Sequence, residues 1–246
     1  MKKFFLAFLL SVRLCICTQA DNSLKVTYLI RERDYVEQQV PFENNYELII
    51  SGDSSCFQME IDPSWGAIYL VPEQYSILKN FKTSELLYRE GISTLKYCYS
   101  GTIPEFEWQL MEQDTIVCGY SCQKAKTFYK GRVWYAWYSS DLPYDNGPWK
   151  LGGLPGLILK AYDSKGDFFY EAYKVKNYKN IKIQFDANGY IKTTRKRFLE
   201  DLVSYYNDTD GFDESHGLKT YEQTNEKVQK SPSKYPCLEE EIDDGE

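Results

Sequence analysis

The sequence predicts a mainly β domain: a strongly curved antiparallel sheet, a half-barrel or open barrel, with one C-terminal helix packed on it. Three observations carry this expectation. Apolar residues alternate with polar ones through many short runs. Clusters of Gly, Pro, Asn, Asp and Ser separate those runs. Aromatic residues make up 16% of the chain, with 22 tyrosines, and such residues favour sheets over helices. The tyrosines are expected along the solvent face of that sheet. A flat two-sheet sandwich is the alternative architecture.

Taken in order, Leu24, Val26, Tyr28 and Ile30 alternate with Lys25 and Thr27, a period of two that marks a first strand. Tyr46 to Ile50 and Cys56 to Ile61 flank Ser51-Gly52-Asp53, a turn cluster. Ala67 to Val71 is a short apolar run ended by Pro72. Leu95, Tyr97 and Tyr99 share one face, as do Phe106, Trp108 and Leu110, with a turn at Gly101 to Pro104. Thr115 to Tyr129 reads as one long strand with a break at Gly119. Lys130-Gly131 turns it into Arg132 to Tyr138, where Val133, Tyr135 and Trp137 face one way. Leu157 to Tyr162 and Phe168 to Val175 flank Asp163-Ser164-Lys165-Gly166, a hairpin signal. Ile181, Ile183 and Phe185 form a further strand that ends at Ala187-Asn188-Gly189. Phe198, Leu199, Leu202, Val203 and Tyr206 recur at helical steps, with Thr193 or Thr194 able to cap the start. Residues 207–246 are polar and acidic and are expected to form a flexible tail, leaving 21–206 as a single domain.

Residues 1–20 have the layout of a cleavable secretion signal. Lys2 and Lys3 precede an apolar run from Phe4 to Val12, and Thr18-Gln19-Ala20 offers small residues to a signal peptidase. A lipid-anchored form would begin at Cys15 or Cys17, but the bulky Leu14 and Ile16 precede them. No later stretch is long and apolar enough to cross a membrane as a helix. Cleavage removes three basic residues (Lys2, Lys3, Arg13) and no acid, taking the net charge from −7 to −10. A surface so acidic repels phosphate backbones, which argues against a nucleic-acid partner.

Residues 147–159 read Gly-Pro-Trp-Lys-Leu-Gly-Gly-Leu-Pro-Gly-Leu-Ile-Leu. Pro148 and Pro155 fix φ, and Gly152, Gly153 and Gly156 permit positive φ or close backbone approach. Leu154-Pro155-Gly156 suits a type II turn, and Trp149 is the expected buried anchor. Such a loop either specifies the fold or rims a site, in which case Trp149, Gly153, Leu154, Pro155 and Gly156 are candidate contacts. Gly153-Leu154-Pro155-Gly156-Leu157-Ile158 resembles the signature of the GLPGLI family of exported proteins from Bacteroidetes-type bacteria. Gly119 to Ala125, Gly131-Arg132, Ala136-Trp137-Tyr138, Pro143 and Gly147-Pro148-Trp149-Lys150 resemble its second block, over about residues 105–175. The resemblance implies export, one β-rich domain, and a cell-envelope role beside outer-membrane receptors. With the signal, it implies the periplasm. It implies no activity.

Chemistry finds few candidates. His216 is the only histidine and lies in the expected tail, so a histidine-based triad or zinc site lacks its residue. Neither a phosphate loop nor a dinucleotide fingerprint occurs, and no cofactor is indicated. Asp141, Asp145 and Asp163 flank the signature and admit a carboxylate-based hydrolase. Arg132 is a candidate for pairing with an acidic side chain or for holding a ligand carboxylate. Cys118 and Cys122 are candidate ligands for a soft metal such as copper, or a redox pair. On a straight strand their Cα atoms would lie about 13 Å apart, too far for a disulfide. The leading expectation is non-catalytic binding of an apolar or amphipathic ligand, or of a partner protein, through an aromatic-lined concave face. Arg132, Trp137, Tyr138 and Trp149 are candidate ligand or motif residues. A concave face filled by the chain's own side chains would leave only the partner-protein version.

Overall fold

The computed structural model describes residues 22–33, 42–60, 75–179 and 181–218. The strands are β1 (Asn22–Glu32), β2 (Phe42–Ser51), β3 (Ser54–Met59), β4 (Ser76–Asn80), β5 (Glu85–Ile92), β6 (Leu95–Thr102), β7 (Gln109–Val117), β8 (Tyr120–Tyr129), β9 (Arg132–Ser139), β10 (Leu157–Asp163), β11 (Phe168–Lys179) and β12 (Ile191–Lys192). Helices α1 (Arg195–Asn207) and α2 (Thr209–Ser215) follow. Among the described residues the strands form one twelve-stranded sheet, ordered β12-β6-β5-β4-β3-β2-β1-β11-β10-β9-β8-β7, whose two end strands do not pair. Every pairing is antiparallel except β12 on β6.

The sheet is strongly curved, as the sequence predicts. In the strand order β4 and β9 are six places apart, about 28 Å in a flat sheet at roughly 4.7 Å per strand. Yet Lys79 on β4 hydrogen-bonds the loop that leaves β9, reaching Asn146 Oδ1 at 2.9 Å and Leu151 O at 2.8 Å. The concave face is thereby closed by the chain itself. Leu24, Val26, Tyr28 and Ile30 point into it from β1, as their alternation implies, and meet Leu48, Ile77, Trp134 and Tyr170. The loop between β9 and β10 inserts Trp149, Leu151 and Leu154. On β6, Phe198 of α1 packs against Tyr97 and Tyr99, each ring centroid 5.6 Å away. Thr194 caps that helix, accepting from Arg197 N, and this is one of the two capping residues read from the sequence.

Several expectations are corrected. The tyrosines are not confined to the solvent face: Tyr28, Tyr88, Tyr97, Tyr99, Tyr138 and Tyr170 are buried. Core tyrosines need hydroxyl partners, and Tyr28 donates to Ile158 O, Tyr99 to Glu90 and Tyr138 to Gln123. The long strand over 115–129 is a hairpin. Cys118 and Gly119, at φ 50° and 84°, form its two-residue turn. Ile181 to Phe185 is not a strand, because its main chain bonds to side chains instead of a ladder: Ile181 N donates to Ser23 Oγ, and Arg89 donates to Gln184 O. This strap bonds to side chains of β1, β2 and β5, at Ser23, Ser51 and Arg89. The segment 207–246 begins with α2, whose Phe212 is buried; residues 219–246, like Ala67 to Val71 and the signal at 1–20, lie outside the described residues. No helix among the described residues is long and apolar enough to cross a membrane.

Candidate binding surface

The signature loop turns Trp149, Leu151 and Leu154 into the core. Trp149, at φ 55°, stacks on Trp134 of β9 at 5.4 Å between centroids. Trp134 continues into Phe168 at 6.1 Å and Tyr170 at 6.2 Å. Leu154 is buried and Pro155 exposed. Gly156 N donates to Leu154 O at 2.7 Å, so Leu154-Pro155-Gly156 is a γ-turn centred on the proline rather than the expected type II turn. A β carbon on Gly156 would lie 2.2 Å from Ser139 O, which explains why glycine occupies that place. Gly153, at φ 81°, donates its N–H to Asp145 Oδ1, and Trp108 Nε1 donates to Gly152 O at 2.8 Å. Every contact these residues make belongs to the fold.

Arg132 is buried too. Its Nη1 pairs with Asp163 Oδ2 at 2.7 Å and Asp167 Oδ2 at 2.8 Å, and its guanidinium lies 5.0 Å from the Phe168 ring centroid. Asp163 Oδ1 in turn accepts from the main-chain N–H groups of Asp167 and Phe168. Two carboxylates from the β10–β11 turn thus hold the guanidinium against β9. Of the three flanking acids, Asp163 is engaged here, Asp145 braces Gly153, and Asp141 is exposed.

The cysteines differ in burial. Cys118, half-buried in the hairpin turn, is hydrogen-bonded by the backbone of Val175 on β11, while Cys122 is buried and donates to Tyr120 O at 3.5 Å. Burial raises both thiols, Cys122 to about 11. Neither is a ready thiolate at neutral pH, the form that metal binding and redox exchange use.

Trp137 and Tyr138, neighbours in sequence, lie on opposite faces, because side chains alternate along a strand. Tyr138 is in the core. Trp137 lies on the outer face, where β8–β11 carry a cross-strand ladder. The register places Tyr162 of β10 opposite Tyr135 of β9, and Lys124 of β8 opposite Trp137. Tyr135 and Tyr162 stack at 5.3 Å and 25°. Lys124 Nζ lies 4.9 Å from the Tyr135 centroid, 5.3 Å from Trp137 and 6.0 Å from Tyr162. Farther along, Lys160 pairs with Glu171 at 3.1 Å and lies over Phe169, as does Arg31 from β1. Sequence reasoning found the shared face of Val133, Tyr135 and Trp137 but not Lys124 or Tyr162, whose place depends on strand register. It also passed over Lys79, whose charge points away from a core position.

The sequence profile of a family described as "N-glycanase peptide, N-terminal domain" matches residues 76–206, more than half of the chain. Two solved structures, described as PNGF-II in a C2 and in a P21 space group, superpose with a TM-score of 0.56 each. They are 20% and 21% identical, and each alignment covers 73% of this chain and 32% of the other. At that identity the likeness concerns the fold. The chain spans about a third of the length of those structures. No curated protein matches.

Proposed function

The chain belongs to the family of the N-glycanase peptide, N-terminal domain, and from that premise we propose that it is a non-catalytic, exported binding domain that holds a partner protein on the outer face of its sheet. One observation carries the reading. The concave face is filled by Trp149, Leu151, Leu154 and Phe198, while the outer face of β8–β11 presents half-buried rings and lysines. A ligand held in the concavity would have to displace that core, so partner binding is favoured over carriage of an apolar ligand. Arg132 is committed to Asp163 and Asp167, which leaves it little capacity for a ligand carboxylate. The soft-metal and thiol-redox readings ask for a thiolate that burial disfavours at Cys118 and Cys122. The carboxylate-hydrolase reading asks for two uncommitted acids about one gap, and Asp163 and Asp145 are both engaged in the fold.

The basic start and apolar run of residues 1–20 support export, and the Gly153–Ile158 run supports a place among GLPGLI-type envelope proteins beside an outer-membrane receptor. The activity implied by the name N-glycanase stays with the longer proteins; for this chain we infer a binding role beside such machinery. The test is site-specific photocrosslinking in the native host, with the crosslinker at position 137 and, as control, at position 116 on β7. The reading expects one defined polypeptide adduct from position 137 alone, and intact mass beginning at Asp21. A lipid or small molecule co-purifying in stoichiometric amount, with no adduct at 137, would overturn it.

A further inference from the structure

We propose that Lys124 and Lys126, with the hydroxyls of Tyr135 and Tyr162, form a recognition site for an extended acidic peptide segment of a partner, one with carboxylates at alternate residues. This rests on the reading of the outer face as a partner surface, and goes on to name what it recognises.

The ammonium of Lys124 is fixed among three rings at 4.9–6.0 Å. Two other cations of this face are paired, Lys160 with Glu171 and Arg31 with Glu43. Among the described residues Lys124 and Lys126 have no carboxylate partner; Lys126 lies opposite Tyr135 in the register. These are two adjacent cations without ion pairs on a chain of net charge −7. Such a patch attracts acidic groups at short range, within a Debye length of about 8 Å.

Ring geometry selects the ligand further. Tyr135 and Tyr162 turn their faces toward each other, and Lys124 covers part of what remains. Ring faces are electron-rich and edges electron-poor. Beside that stack the cluster offers ring edges, phenol hydroxyls and ammonium groups, all favourable to anions. Spacing then fixes the form of the anion. Lys124 and Lys126 are two residues apart on β8, about 6.6 Å along a strand, the same as the spacing of residues i and i+2 in an extended peptide. A segment with Glu or Asp at alternate positions therefore meets both cations at once.

The experiment uses the full chain and a fluorescent, end-blocked peptide of alternating Glu and Ser, measured by anisotropy. Controls of equal length carry the same charge in one Glu block, or Lys in place of Glu. The proposal expects saturable binding that favours alternating over blocked Glu and weakens with salt. Lys124→Gln should reduce affinity about tenfold or more, the scale of a charged hydrogen bond. Tyr135→Phe with Tyr162→Phe should cause a smaller loss, and unchanged thermal midpoints would show that the variants are folded. Equal binding of alternating and blocked peptides, an unchanged Lys124→Gln variant, or tighter binding of an acidic oligosaccharide at the same site would overturn it. If position 137 crosslinks a partner while the peptide does not bind, this inference fails alone. If neither occurs, the partner-surface reading fails with it.

Discussion

Lys79 Nζ donates to Asn146 Oδ1 at 2.9 Å, across 67 residues of sequence, and the same nitrogen donates to Leu151 O at 2.8 Å. The bond joins β4 to the loop that carries Trp149, so one lysine ties the two arms of the curved sheet across its interior. Burial pulls its pKa down to about 7, against a raising influence from Asp145.

That shift gives stability a pH dependence of definite sign. The folded pKa of Lys79 is about 7 and the ordinary value 10.5, so the unfolded chain binds more protons between them. Stability rises with pH through this window and is lost as pH falls through about 7. The urea midpoint should rise from pH 6.5 to 8.5, and Lys79→Met should flatten the rise while lowering the midpoint itself. An unchanged slope in Lys79→Met would refute the assignment. The range stops short of pH 9 because the raised thiols of Cys56, about 12, and Cys122, about 11, reverse the trend above it.

Arg132 makes a prediction of another kind. Its removal takes away the buried cation that Asp163 and Asp167 share, leaving near Asp167 the more exposed Arg33 at 3.4 Å. Arg132→Met should cost about 3–5 kcal/mol of folding stability. Adding Asp167→Asn removes one of the two buried negative charges and should restore part of that loss. Urea denaturation of the single and double variants measures both, and a double variant no more stable than Arg132→Met would count against the ion pair as the cause.

How much of this was legible in the sequence depends on whether the signal is local. The alternation through Leu24–Ile30 and Leu95–Tyr99 and the Thr194 cap are local, and they predict β1, β6 and α1. The arms β4 and β5 escaped notice. Ser76, Ile77, Leu78 and Lys79 are all buried, so the strand has no polar face to reveal a period of two. Ile181 to Phe185 erred the other way: its alternation is real, but its carbonyls accept from Ser51 and Arg89, donors that come from elsewhere in the chain. The outer ladder was half legible for the same reason. Tyr135 and Trp137 share a strand, whereas Lys124 and Tyr162 join them only through the registers of β8 on β9 and β10 on β9.

The thiols predict a labelling order. Cys56 and Cys122 are buried with raised pKa values, and Cys118 is half-buried with its pKa also raised. With iodoacetamide at pH 8 and peptide mass mapping, Cys118 should label slowly in the folded protein. Cys56 and Cys122 should label only after denaturation, because both access and thiolate are lacking. Rapid labelling of native Cys122 at pH 8 would reopen the thiol-redox reading.

The glycines of the signature separate a structural role from a contact role. A β carbon at Gly156 would stand 2.2 Å from Ser139 O and 2.6 Å from its carbonyl carbon, main-chain atoms of a strand end that cannot swing aside. At Gly153 the nearest atom would be Trp108 Nε1 at 3.4 Å, an ordinary contact, and the difficulty there is the φ of 81°. Gly156→Ala should therefore destabilise by about 3 kcal/mol or more, the upper range for forced overpacking. Gly153→Ala should cost about 1–2 kcal/mol, the penalty of a left-handed non-glycine residue. Thermal melts of the two variants give the order directly. A ligand rim would behave differently, since both substitutions would then weaken binding at unchanged stability. The Ser139 main chain, packed against Gly156 from within the fold, is the reason to expect the stability loss instead.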